Sequence, residues 1–289
     1  MSAGARLSIN QATIKHAPLA DALGVTARAG VGAIGLWREP VAEVGLAESV
    51  RMVADSGLRV SSLCRGGFFT ASGGAERRAA LDDNRRAIEE TAALAASGAP
   101  GSAAVLVLVA GGLPAGSTDI LSARARVADV IAELEPEARA AGVRLGIEPL
   151  HPMYAADRAV VSTLGQALDI AEPFPAASVG VVVDTFHIWW DPEVLAQIAR
   201  AGADGRIASY QVCDFLTPIP SDALLARGMM GDGHIDFGTL TAAVEAGGYA
   251  GDIEVEIFNA EIWADDPAAV VARTVRAFGE HILLRSVPV

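Results

Sequence analysis

Eight short apolar runs of strand length, each followed by a stretch of helical spacing, leave this chain few folds to choose from. The runs are Leu7–Ala12, Val31–Trp37, Arg59–Cys64, Ala103–Ala110, Val143–Glu148, Val179–Asp184, Ile207–Cys213 and Asp252–Phe258. Between and after them, helices are expected at about 18–28, 41–55, 76–96, 118–141, 163–171, 192–201, 237–246 and 267–284. Strands that alternate with helices argue a parallel sheet, because each parallel connection needs a crossover. Eight such units, with no linker or change of composition between them, predict an α/β fold: one closed (β/α)8 barrel over residues 1–289. An open doubly wound sheet would call for a Gly-rich turn after the first strand, and Asn10-Gln11-Ala12-Thr13 is not one.

The sixth run is the most informative. Val179-Gly180-Val181-Val182-Val183 is β-branched or Gly throughout, the pattern of a strand buried on both faces. It delivers Asp184 and, three residues later, His187, before Trp189, Trp190 and Asp191-Pro192. In a barrel the carboxyl ends of the strands carry the active site. The last four strands each bring a polar residue near that end: Glu148, Asp184, Gln211 and Glu256. Three carboxylates drawn together raise one another's pKa, and a divalent cation relieves the repulsion. Oxygen donors suit Mn²⁺ first, then Mg²⁺ and Co²⁺, with Zn²⁺ behind. Glu148, Asp184, Gln211 and Glu256 are thus the expected metal ligands. Glu254 shares a face with Glu256 by the period of two and is expected deeper, paired with an arginine.

His187 and His151 each follow a ligand by three residues, within reach of a substrate oxygen. The loop Arg227-Gly228-Met229-Met230-Gly231-Asp232-Gly233-His234-Ile235-Asp236-Phe237 is long for a βα connection, which points to function. Arg227 is its candidate for gripping a substrate oxygen. Its glycines could cradle a phosphate or form an ordinary turn, and Asp236 is placed to cap the next helix. Trp37, Phe68, Phe69, Trp189 and Trp190 are candidates for the pocket wall.

Composition removes other classes. Net charge is −13 and there is no Lys/Arg cluster, which argues against nucleic acid and anionic membranes as partners. The one lysine, Lys15, leaves little room for Schiff-base chemistry. Two cysteines, Cys64 and Cys213, give no disulfide framework. No apolar run reaches the roughly 20 residues of a membrane span, and a cytoplasmic location is expected.

The motifs Gly146-Ile147-Glu148-Pro149, Val183-Asp184-Thr185-Phe186-His187, Gln211-Val212-Cys213-Asp214, Gly231 to Phe237, and Glu254-Val255-Glu256 resemble the sugar phosphate isomerase/epimerase group of xylose-isomerase-like TIM barrels. That resemblance implies a metal held by side chains of strands 5 to 8 and a carbohydrate substrate. It also implies Glu148 and Glu256 as the acid–base pair beside a carbonyl, and His187 as the group that steadies the enediolate oxygen. Gln211 stands where the family usually has His, and Leu150 where xylose isomerase has Lys. Endonuclease relatives need more His ligands and a basic face than this chain provides. The resemblance implies a metal-dependent isomerase or epimerase, a dimer or larger assembly being compatible with it. A lyase that eliminates from the same enolate is the alternative, and a non-catalytic barrel subunit is the alternative of another class.

Overall fold

The structure is a computed structural model that describes residues 5–283. Eight parallel strands close a barrel: β1 Leu7–Asn10, β2 Ala33–Trp37, β3 Arg59–Gly67, β4 Val105–Val109, β5 Arg144–Glu148, β6 Val179–Asp184, β7 Ile207–Val212 and β8 Ile253–Val255. Each pairs with its neighbour in sequence, and β8 returns to β1. Around them run α1 Leu19–Arg28, α2 Arg38–Val44, α3 Leu46–Ser56, α4 Gly74–Ser97, α5 Ile120–Ala140, α6 Leu164–Ala171, α7 Thr185–Ile188, α8 Val194–Ala203, α9 Phe237–Ala246, α10 Ala260–Ala264 and α11 Pro267–Phe278.

Local chemistry accounts for these elements. The strands β4 and β6 are β-branched or aliphatic almost throughout and are buried along their whole length, as sheet covered by helices requires. Helix α5 starts where Asp119 accepts the N–H of Ser122, α6 where Thr163 accepts from Gln166, and α9 where Asp236 accepts from Thr239. The expected cap at Asp236 is therefore present.

Three local expectations change. The helix expected over 41–55 is two helices, because Gly45 sits at φ 89°, outside helical space, between α2 and α3. The short helix α7 carries His187, which the sequence pattern leaves in a loop. The closing helix ends at Phe278 and continues as a wider turn over Gly279–Leu283; Leu284, its expected last residue, lies outside the described residues.

Barrel register places polar residues in one row. Asp184 pairs with Gln211, Gln211 with Glu254, and Glu254 with Ser8. All four are buried. A barrel interior normally filled by branched apolar side chains is here polar over its upper layers.

Candidate active site

The cavity at the carboxyl ends of the strands holds about 820 Å³ and is lined by Glu148, Glu256, His187, Arg227, Trp37 and Gln11, among others. A smaller cavity of about 410 Å³ opens at the opposite end, between glycine-rich turns, Arg144 and Tyr249. It gathers no convergent acids or bases, so the chemistry belongs to the larger one.

Each expected ligand comes from its expected strand end. Glu148 closes β5, Asp184 closes β6, and Gln211 lies one residue before the end of β7. Glu256 follows β8 directly, its N–H donating to the Val212 carbonyl at 3.3 Å. Glu148, Asp184 and His187 each offer a ligand atom, and these atoms lie within 4.8 Å of one another. His187, expected above the metal ligands, thus gathers with two of the expected four, Glu148 and Asp184, while Glu256 stands outside that group.

Arg227 is turned inward and 2% exposed. Its Nη1 donates to Asp184 Oδ2 at 3.0 Å and to Glu256 Oε2 at 2.9 Å. Its Nη2 lies 2.9 Å from His187 Nε2, and its guanidinium carbon 4.6 Å from the centre of the Phe186 ring. His187 Nδ1, on its other side, meets the backbone N–H of His151 at 3.1 Å. A neutral imidazole accepts at one nitrogen only, so one of these two approaches goes without a hydrogen bond.

Burial governs the electrostatics. It pushes the Glu148 carboxyl well above its usual range, with Glu256 and Asp184 adding to the rise. Glu256 is pushed up to about 8 by burial, against the pull of Arg227. Asp184 is raised by burial too, with Arg227 and the Phe186 N–H opposing. Burial, Arg227 and His151 hold His187 well below its ordinary value, so the imidazole is neutral. Burial works against the Arg227 charge, but Asp184, Cys213 and Glu256 more than compensate and hold it protonated.

The donor set fits a divalent cation. Glu148 Oε1 and Gln211 Oε1 are buried acceptors without a hydrogen-bond donor. Such orphans are rare unless a further group completes them. Three buried carboxyl groups around one guanidinium also leave negative charge to compensate whenever they ionise.

Other expectations sort less evenly. Glu254 is not paired with an arginine. Its buried carboxyl group accepts from Asn10, Ser61, Ser62 and Gln211 instead, because small polar side chains of β1 and β3 face it across the barrel. His151 does not line the cavity; it is half-buried, and its contact to the site is the backbone N–H on His187. Trp37 and Phe68 line the cavity, whereas Phe69, Trp189 and Trp190 do not. The glycine loop is no phosphate cradle. Its N–H groups at Gly231, Gly233 and Ile235 already donate to Asp214.

Sequence reasoning passed over Gln11 as a site residue. Gln11 lines the cavity; its Oε1 accepts the Trp37 N–H, and its Nε2 is buried and unpartnered. His16 and Lys15 also line the cavity, with Lys15 Nζ 4.6 Å from the centre of the Trp263 ring. The available signal for Gln11 was position alone: it follows the end of β1, where a barrel places its site.

Residues 23–280 match the family model described as xylose isomerase-like TIM barrel. The chain belongs to that family. Among curated proteins it is 28% identical to the L-ribulose 3-epimerase of Mesorhizobium japonicum over 51% of this chain and 50% of that protein. It is 30% identical to the 3-dehydroshikimate dehydratase of Pseudomonas aeruginosa over 53% of this chain and 23% of that protein. The chain thus spans about half the length of the epimerase it matches and less of the dehydratase. Among solved structures, protein SMc04130 of Sinorhizobium meliloti 1021 superposes with a TM-score of 0.90 at 49% identity, covering 96% of this chain and 98% of that one. The IOLI protein with a zinc atom bound superposes at 0.81 and 20% identity, covering 96% and 98%. The family's enzymes include epimerases and dehydratases. Among the described residues no helix is long and apolar enough to cross a membrane.

Proposed function

We propose that this family member is a divalent-metal-dependent isomerase or epimerase of a ketose, inosose or related sugar. The observation that carries the reading is two buried glutamates with raised pKa values, Glu148 and Glu256, lining one cavity, with Asp184 buried beside Glu148 and joined to Glu256 through Arg227. Glu148, Asp184, Gln211 and Glu256 would hold the cation, with Mn²⁺ the first choice for an oxygen set and His187 near enough to join it. Zinc in the IOLI protein makes Zn²⁺ the competitor to test. Bound there, a divalent cation supplies Lewis-acid polarisation of a carbonyl.

The protein groups handle the proton. Glu256, beside the Arg227 guanidinium, ionises more readily than Glu148, so Glu256 is assigned the base and Glu148 the acid. Glu256 takes the proton from the carbon next to the carbonyl, and the C–H electron pair moves onto the oxygen as an enediolate. Glu148 returns a proton to the opposite face of that carbon, or to its neighbour. Arg227 and neutral His187 steady the charge that develops on oxygen, and the free Gln11 Nε2 grips a substrate hydroxyl. Trp37 walls the pocket.

Relatedness to a dehydratase supports a second reading, in which the same enolate expels water from the β carbon. Deuterium uptake from heavy water, with Mn²⁺ and a panel of ketoses, inososes and keto-glycosides, separates them. Label in recovered sugar supports the isomerase; an enone with loss of water or an aglycone supports the lyase. Neither exchange nor elimination on any substrate would leave the non-catalytic barrel as the better account.

A further inference from the structure

Gln211 is an unusual choice for a ligand position, because an amide can present either an oxygen or an NH₂ group, and the latter cannot bind a cation. The surroundings of Gln211 decide which. Trp37 Nε1–H and the Ala12 N–H can only donate, and both donate to Asn10 Oδ1, at 2.7 and 2.9 Å. That fixes the Asn10 amide with its Nδ2 towards Glu254, where it donates to Oε1 at 2.6 Å. Ser61 and Ser62 donate to the same carboxyl group. Oε1 of Glu254, which meets the fixed Asn10 Nδ2, is thereby an acceptor, and Gln211 meets that same oxygen with Nε2, at 3.1 Å. The other arm of the amide, Oε1, is left buried without a donor.

We infer that Glu254 is the positioning residue of this site: Trp37 donates to Asn10 and Asn10 to Glu254, and the acceptor oxygen so fixed takes the Gln211 N–H, which sets the Gln211 amide so that its oxygen, not its nitrogen, is free to bind the cation. The inference rests on the metal reading above. It adds a role for a carboxylate that neither touches the substrate cavity nor pairs with a cation of the protein. Space for it is built in, since a Cβ at Gly35 would lie 2.5 Å from the Glu254 carboxyl carbon. With the carboxyl group removed, as in Glu254→Met, nothing dictates the orientation of Gln211; a Gln at 254 would keep its oxygen towards Asn10 Nδ2 and so preserve it.

Isothermal titration with Mn²⁺ tests this in four proteins: wild type, Glu254→Met, Gln211→Ala and the double variant. Outer partners of ligands are worth roughly 10- to 100-fold in metal affinity. Glu254→Met is expected to weaken Mn²⁺ binding by about that factor in the wild-type background, and by less than about threefold once Gln211 is Ala. Such non-additivity is the mark of one residue acting through another. Trp37→Phe, which removes the first donor and leaves the barrel core intact, should weaken binding in the same direction, again only when Gln211 is present. Equal losses from Glu254→Met in both backgrounds would mean that it acts through charge or packing, and would overturn the inference while leaving the metal site standing. Gln211→Ala that binds Mn²⁺ as tightly as the wild type would do the same, whereas failure of the wild type to bind either Mn²⁺ or Zn²⁺ would overturn both.

Discussion

Arg227 brings a positive charge to the point where Asp184 and Glu256 converge, and its removal leaves two buried acids facing each other without it. Breaking a buried pair on one side costs about 3–5 kcal/mol, because the remaining charge stays in a poor solvent. Arg227→Met is therefore expected to lower the melting temperature of the metal-free protein markedly, and Mn²⁺ should restore much of the loss. A melting curve for Arg227→Met that Mn²⁺ does not move would argue against shared occupancy of those carboxylates. Glu256→Gln is expected to cost about 10²- to 10⁴-fold in turnover, the range of a general acid or base, with circular dichroism unchanged. Wild-type rates in that variant would remove Glu256 from the mechanism. Gln211→His should shift preference towards Zn²⁺ or Co²⁺, as imidazole does, and competition titrations read the shift directly. These residues were legible in the chain because each stands at a strand end. The inward turn of Arg227 was not, since a long loop follows no periodicity, and Gln11 was hidden by being read as part of its strand.

Among the elements, β8 and β2 fit closely beside the site. Glu254 on β8 occupies the space that Gly35 leaves open on β2. Gly35→Ala would force the carboxyl group aside, at about 1–3 kcal/mol for overpacking. The variant should melt lower than wild type and, through the displaced Glu254, bind Mn²⁺ more weakly. Wild-type affinity in a destabilised Gly35→Ala protein would separate the packing of this pair from the site. Nothing in the one-dimensional pattern predicts the pairing, because a glycine in a strand declares neither its neighbour nor the reason for its size. Helical periodicity likewise runs through Gly45 without a break, so α2 and α3 read as one helix although the backbone turns between them. The wrapping of β3 to Gly67 was equally unreadable: Gly66 and Gly67 look like a turn and instead pair with Leu108 and Val109.

For the molecule as a whole, the buried acids impose a pH dependence. Groups whose folded pKa is raised stabilise the protein fully below their unfolded value and lose that contribution as pH rises through the folded one. Glu256 spans 4.5 to about 8, and Glu148 and Asp184 move in the same direction. His187 has the opposite sign: held low, it contributes above 6.5 and withdraws its contribution as pH falls. Between pH 6.5 and 8 the acids dominate, so the metal-free protein should melt at progressively lower temperature across that window, and Mn²⁺ should flatten the slope. A metal-free melting temperature that holds or climbs there would contradict the burial of ionisable acids in the barrel. The barrel itself was readable from sequence because its rule is repetition, eight strands and their helices. The division of labour within it was not: β5 to β8 bring the proposed ligands, while β1 and β3 supply the serines and the asparagine around Glu254. Those are residues of ordinary appearance.

The loop between β7 and α9 is fastened twice. Asp214 and Phe215 pair with Gly228 and Arg227 in a two-residue antiparallel ribbon, and Asp214 also collects the N–H groups of Gly231, Gly233 and Ile235. Residues 216–226 leave and re-enter this clasp within one step of each other, and Leu224 from that excursion lines the cavity. The segment can therefore lengthen, shorten or be exchanged without shifting Arg227. New substrate preferences can arise there by insertion and deletion, a route of divergence that leaves the chemistry of the barrel untouched.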